Sequence, residues 1–135
     1  MDEVIEHAEA LGLRVVWRDL GRRNGELTSA GVVLLNPRKS ALTQRVTLAH
    51  ECGHHWHGHD WTRTHDRSRD ERQADVYAAR LLISPMEYAS AESLVGPHAG
   101  ALARELGVTA HLVELWRSRS SNGVPRAAQF NALVG

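Results

Sequence analysis

Thiol groups, long apolar runs and net charge are what this sequence lacks. A single cysteine among 135 residues excludes an internal disulfide framework and a zinc site built on several thiolates. No apolar run approaches the roughly 18 residues of a membrane-spanning helix. Lysine and arginine number 16, as do aspartate and glutamate, so no overall charge attracts nucleic acid. Together with the acidic N-terminus, these features lead us to expect a cytoplasmic protein with no membrane partner.

The order of apolar patterns predicts an α+β fold, with a small antiparallel sheet packed on a long helix and further helices after it. The predicted strands are Leu13–Trp17, Glu26–Ser29 and Val32–Leu35. The predicted helices cover 4–11, 40–56, 70–83, a segment capped by Ser84 and Pro85, 98–106 and 109–119. We expect one domain over residues 1–119, with its helical C-terminal segment at 98–119 and a loose tail at 120–135.

Histidine is the residue that stands out, because six of the nine lie between positions 50 and 65. Within this cluster, His50 and His54 flank Glu51 in the pattern H-E-x-x-H. On a helix this spacing places both imidazoles on one face, where they can share one Zn²⁺ ion. Glu51 is then placed to act as general base on a water molecule. The pattern therefore predicts His50 and His54 as zinc ligands and Glu51 as the catalytic residue.

A catalytic zinc site needs a third protein ligand, and the sequence offers two carboxylate candidates. Glu71 lies near the start of the next predicted helix, and Asp75 follows one turn later, where it can hold a ligand imidazole by its other N–H. Glu71 could instead form a capping box with Ser68. Asp60 occupies the ligand position of the metzincin pattern H-E-x-x-H-x-x-G-x-x-H/D, but His57 replaces its glycine. We expect Glu71 to be the ligand and Asp75 its outer partner.

Three segments together resemble the ImmA/IrrE family of metallopeptidases. They are Val33–Pro37, similar to the family's I-x-L-N; Arg45–His54, similar to R-F-T-L-A-H-E-x-G-H; and Glu71–Pro85, similar to E-x-x-A-N/D-x-F-A-x-x-L-L-M-P. The resemblance implies a zincin-like endopeptidase with His50, His54 and Glu71 as zinc ligands and Glu51 as the catalytic residue. It also implies a protein substrate, typically a transcriptional repressor, often one encoded by a phage or mobile element.

Residues 101–119 support an alternative of a different class. The spacing of Leu102, Gly107 and Val113 is typical of a helix-turn-helix, so the chain could be a DNA-binding or repressor-docking regulatory module with a non-catalytic zinc site. Three arginines against two glutamates in this segment provide few phosphate contacts. We therefore favour a packed helical hairpin over direct binding of nucleic acid.

The remaining residues of the cluster have no assigned role in this interpretation. They are His55, His57, His59 and His65, for which we expect a solvated loop, with a second metal site, a further ligand or a cleft wall as alternatives. The lone Cys52 is expected to be a buried structural thiol, because it lies on the other side of the helix from His50.

Overall fold

The computed structural model of the chain describes residues 1–59 and 67–121. The predictions for Asp60, His65 and the tail beyond residue 121 therefore lie outside the described residues. The architecture confirms the α+β class. Its elements are α1 (Asp2–Ala10), β1 (Arg14–Trp17), β2 (Gly25–Leu27), β3 (Val32–Leu35), α2 (Ala41–His57), α3 (Arg67–Leu82), α4 (Pro85–Val95), α5 (Ala99–Leu106) and α6 (Ala110–Ser121).

These elements form two compact units, and the boundary between them falls inside α3. The first unit covers Met1–Ala74, and the second begins at Asp75. The single domain expected over residues 1–119 stays a prediction. In the ranges 1–59 and 67–121, no helix combines the length and the apolar character that crossing a membrane requires.

The sheet is mixed, which corrects the prediction of an antiparallel sheet. Its strand order is β1-β3-β2, in which β2 is antiparallel to β3 and β1 is parallel to it. Glu26 lies opposite Leu34, and Val15 lies opposite Val33. The tight turn at residues 28–31 makes β2 and β3 an antiparallel pair. β3 is the most buried strand and lies at the centre of the sheet. β1 pairs with the side of β3 that faces away from β2. It runs parallel to β3 because both strands run in the direction opposite to β2.

Helix α2 begins and ends at clear local signals. The side chain of Ser40 accepts a hydrogen bond from the backbone N–H of Thr43 at 3.1 Å, which caps the first turn. Gly58 ends the helix at φ 68° and ψ 32°, a left-handed conformation that favours glycine. Leu48 and Cys52 are fully buried on the core side. The predicted helix is thus confirmed to within one residue at each end.

Asn36 is a buried polar residue that holds the loop between β1 and β2. Its Nδ2 donates to the carbonyl oxygens of Gly21 and Arg23, each at 3.0 Å, and its backbone N–H donates to the Asn24 carbonyl at 3.0 Å. Its Oδ1 accepts from the backbone N–H of Arg38 at 3.0 Å. Burying this amide costs little free energy because its polar atoms are hydrogen-bonded. The same hydrogen bonds hold the loop at the end of β3.

The second unit is helical, as its sequence predicts. Ser84 caps α4 by accepting from the backbone N–H of Glu87 at 3.1 Å, and Pro85 is the first residue of the helix. Helices α5 and α6 pack against each other across a turn at Gly107, which has φ 70°. The two predicted helices are therefore confirmed, and the choice between a packing role and a DNA-binding role stays a prediction.

Candidate metal centre

Two imidazoles form the centre of the candidate site, and both lie on α2. The Nε2 atoms of His50 and His54 are 3.0 Å apart, and the rings meet edge to face with centroids 4.6 Å apart. The spacing of four residues puts them on one face of the helix, as the H-E-x-x-H pattern predicts. The side chain of His54 is 1% exposed, whereas that of His50 is 21% exposed. The pair is therefore anchored in the core at one side and open to solvent at the other.

The side chain of Glu71 reaches both imidazoles from α3. Its Oε2 lies 2.9 Å from Nε2 of His50, and its Oε1 lies 3.2 Å from Nε2 of His54. Helix α3 begins at Arg67, so Ser68 is inside the helix and the capping-box alternative for Glu71 is wrong. The structure brings together the three residues that the sequence predicts as ligands.

The spacing of these atoms suits a metal ion. His50, Glu51 and His54 could hold one, because one ligand atom from each lies within 4.8 Å of the others. A second carboxylate, that of Glu71, lies 2.9 and 3.2 Å from the two nitrogens. Tetrahedral ligands with bonds of about 2.0–2.1 Å lie roughly 3.3–3.4 Å apart, close to the separations found for His50, His54 and Glu71. The spacing of these three side chains is therefore compatible with a shared metal ion.

Glu51 is a buried carboxylate beside the two imidazoles. Burial raises its pKa to about 7; His50 lowers this pKa, whereas the negative charge of Glu71 raises it. A carboxylate with a pKa near neutrality can both take and release a proton, as a general acid–base group must. Burial, together with the neighbouring His50, also holds the pKa of His54 well below its usual value, so His54 is neutral, the form that binds metals.

Two cavities lie along β2, and α2 borders both of them. One, of about 470 Å³, is lined by Arg22, Gly25, His50 and Glu51, among other residues. The other, of about 390 Å³, is lined by residues at the far end of β2 and by His54. Among the described residues, β2 forms one edge of the sheet. The candidate site thus opens beside a strand edge.

His59 is a site residue whose role the sequence did not indicate. Its Nδ1 lies 2.8 Å from Nδ1 of His54, and its Nε2 lies 2.8 Å from Oε1 of Gln73 and 3.4 Å from Oδ1 of Asp70. The local signal is Gly58, whose left-handed conformation folds the chain back over the end of α2. What it contacts there depends on α3, which no local pattern connects to it.

The other residues considered in the sequence analysis differ in their contacts and in their burial. Asp75 lies 3.2 Å from Nε2 of His111 within the second unit, and its role beside a ligand imidazole stays a prediction. His55 and His57 are exposed residues of α2, which corrects the expectation of a loop for them, and Nε2 of His55 lies 3.2 Å from the carbonyl oxygen of Leu11. Cys52 is fully buried, and burial raises its pKa to about 12, which confirms an unreactive structural thiol.

A helix carrying H-E-x-x-H beside a small sheet is the arrangement of a metallopeptidase. The comparison of sequences agrees, because residues 8–115 match the family described as Peptidase M78, IrrE N-terminal-like domain. This match covers most of the chain, which therefore belongs to the M78 peptidase family. The resemblance to ImmA/IrrE proteins is thereby confirmed. A comparison with curated proteins gave no significant match.

Proposed function

We propose that this protein is a zinc-dependent metallo-endopeptidase that cleaves a transcriptional repressor or a similar regulatory protein. One observation carries the reaction class. The carboxylate of Glu71 contacts both imidazoles of the H-E-x-x-H pair, at 2.9 and 3.2 Å, while Glu51 is buried next to them. Three ligands and a separate base are what hydrolysis at a zinc ion requires.

In this proposal His50, His54 and Glu71 hold the zinc ion. Three protein ligands leave one position free, which distinguishes a catalytic zinc site from a closed structural one. The side chains of His50 and Glu71 are 21% and 46% exposed, so that position is accessible from solvent. Zinc bound there would supply a Lewis acid that polarises the scissile carbonyl and makes water more acidic.

Glu51 is the proton carrier of the proposed reaction. Its carboxylate takes a proton from the attacking water and returns it to the nitrogen of the leaving amine. Burial serves this role, because it raises the pKa of Glu51 to about 7 in the metal-free chain. An exposed glutamate, with its lower pKa, would be a weaker base.

The substrate would lie in the cavities along β2. An extended peptide can hydrogen-bond to the free edge of a strand, and β2 is an edge strand beside α2. Gly25 keeps this edge close to the helix, because a Cβ there would lie 2.6 Å from Cγ2 of Thr47 and 2.8 Å from the Leu34 carbonyl oxygen. The choice of a repressor as substrate rests on the resemblance to ImmA/IrrE proteins.

The test is to incubate the zinc-loaded protein with repressors encoded beside its gene and to compare the wild type with Glu51→Gln. We expect the variant to retain its zinc and to cleave about 10² to 10⁴ times more slowly, the usual contribution of a general acid–base group. Glu105→Gln is the matched control, because Glu105 is exposed in α5. Full cleavage by Glu51→Gln would contradict the mechanism. Cleavage of an unfolded protein but of no repressor would contradict only the substrate.

A further inference from the structure

We propose that His59 is a positioning residue that accepts a hydrogen bond from Nδ1–H of His54 in the metal-bound chain and so holds the His54 ring with Nε2 facing the metal. The inference deepens the proposed zinc site and rests on it. It begins from a chain of contacts in the first unit that runs from His54 through His59 to Gln73 and Asp70.

The surroundings of Nε2 of His59 determine where its proton lies. Two oxygens face this nitrogen, Oε1 of Gln73 at 2.8 Å and Oδ1 of Asp70 at 3.4 Å. With the Gln73 amide placed as it is, its Oε1 accepts a hydrogen bond from this nitrogen, and the nearby Asp70 carboxylate also favours a proton there. A neutral imidazole carries one proton, and Nδ1 of His59 is therefore an acceptor.

The same reasoning continues to His54. Its Nδ1 lies 2.8 Å from Nδ1 of His59, and only one of these two nitrogens can donate. Because Nδ1 of His59 is the acceptor, Nδ1–H of His54 would donate to it once a metal ion is bound at Nε2 of His54. In the metal-free chain the Glu71 carboxylate, 3.2 Å from that Nε2, competes for the same proton.

The fold keeps His59 in this place from two sides. Gly58 reverses the chain, the backbone N–H of His59 donates to the carbonyl of His54 at 3.1 Å, and the His59 side chain is 7% exposed. Asp70 and Gln73 lie one turn apart on α3, on either side of Glu71 in sequence. One turn of α3 therefore supplies both the Glu71 carboxylate that contacts the imidazoles and the acceptors that orient His59.

Such an outer partner changes metal affinity. A partner on the far nitrogen fixes the orientation of a ligand imidazole and strengthens it as a ligand, and losing a partner of this kind typically costs 10- to 100-fold in affinity. In this chain a histidine takes the place usually held by a carboxylate or a backbone carbonyl.

The first experiment needs no variant. The tautomer of His59 can be measured in the full-length, zinc-loaded chain from the two- and three-bond ¹H–¹⁵N couplings of the imidazole rings at mildly alkaline pH. We expect His59 to carry its proton on Nε2, which leaves its Nδ1 able to accept from Nδ1–H of His54. A proton on Nδ1 of His59 would overturn the inference and leave the zinc site standing.

The second experiment compares two substitutions at one position by titrating the chain with zinc against a competing chelator. His59→Leu removes the acceptor, and we expect zinc affinity to fall about 10- to 100-fold. His59→Asn places a carbonyl oxygen where Nδ1 lies, and we expect it to restore affinity to within about threefold. Equal affinities for the wild type and His59→Leu would overturn the positioning role but leave the zinc site standing. A wild type that binds no zinc would overturn the proposed function itself.

Discussion

The two units of this protein use the same polar residue types for different purposes. In the first unit, His50, His54 and Glu71 come from two helices and direct their donor atoms at one point. In the second unit, polar side chains pair with one another. His111 contacts Asp75, and the hydroxyl of Tyr88 donates to Oε2 of Glu92 at 3.0 Å. The candidate site therefore differs from the structural contacts in that its donor atoms converge on one point, and less in the types of residue that it uses.

Arg117 shows the second pattern most clearly. Its Nε donates to the hydroxyl of Tyr88 at 2.7 Å, its Nη2 donates to the Pro97 carbonyl, and its guanidinium lies 5.8 Å from the centre of the Tyr88 ring. Tyr88 in turn stacks on Trp116 with centroids 4.5 Å apart. Arg117 is one of the few bases that the helix-turn-helix alternative could use, and these contacts favour its role in packing.

The largest expected effect follows from removing the carboxylate that completes the converging group. Glu71→Ala should lower zinc affinity by more than about 100-fold, beyond the usual loss for an outer partner, because it removes a ligand. Competition with a chelator measures this loss, and Glu105→Ala, an exposed glutamate of the second unit, should show no change. Retained affinity in Glu71→Ala together with its loss in Asp60→Ala would indicate the metzincin arrangement instead.

A second expected effect concerns the stability of the metal-free chain. The pKa of Glu51 rises from 4.5 to about 7 on folding, so its stabilising contribution is full below 4.5 and is lost as the pH rises through 7. Glu51→Gln does not titrate. We expect the chelator-treated variant to match the wild type near pH 4 and to exceed it by about 3 kcal/mol above neutrality.

Urea denaturation of both proteins across this pH range measures the difference. The lowered pKa of His54 has the opposite sign in the same range and is common to both proteins, so it largely cancels. Glu105→Gln, at an exposed position of α5, is the control for replacing a carboxylate by an amide. A pH-independent difference for Glu51→Gln would show that Glu51 is not desolvated by the fold.

The smallest expected effect tests the second unit. Arg117→Ala removes two hydrogen bonds of a charged group and its contact with the Tyr88 ring, and we expect a loss of about 1–2 kcal/mol in the free energy of unfolding. Zinc affinity should not change. If the wild type instead binds DNA in a salt-dependent manner and Arg117→Ala abolishes this binding, the regulatory alternative gains over packing.

Local sequence patterns predicted most of the helices and strands, because the residues that begin and end these elements act through neighbours in the chain. Ser40 and Gly58 bound α2, and Ser84 begins α4, each through contacts with residues close in sequence. The direction of β1 relative to β3 was predicted wrongly. It depends on which side of β3 each neighbouring strand occupies, and an apolar strand pattern is the same for parallel and antiparallel partners.

In the candidate site, too, some features could be predicted from local sequence and others depend on the fold. His50 and His54 could be placed on one face because helical geometry alone sets their spacing. Glu71 was found from its spacing and from the resemblance to ImmA/IrrE proteins, but its contact with both imidazoles is a tertiary fact. His59 was left without a role, because its partner Gln73 is 14 residues further along the chain, in helix α3.

The sequence by itself determined the helices, the strands, the H-E-x-x-H pair and the exclusion of a site built on several thiolates. These depend on residue identity and on periodicity within one turn or one strand. Only the tertiary structure decided the mixed sheet, the burial that raises the pKa of Glu51, and the contacts of Glu71 and His59 with His54. The physical reason is that hydrogen bonding and desolvation depend on distances between atoms, which distant parts of the chain acquire only when it folds.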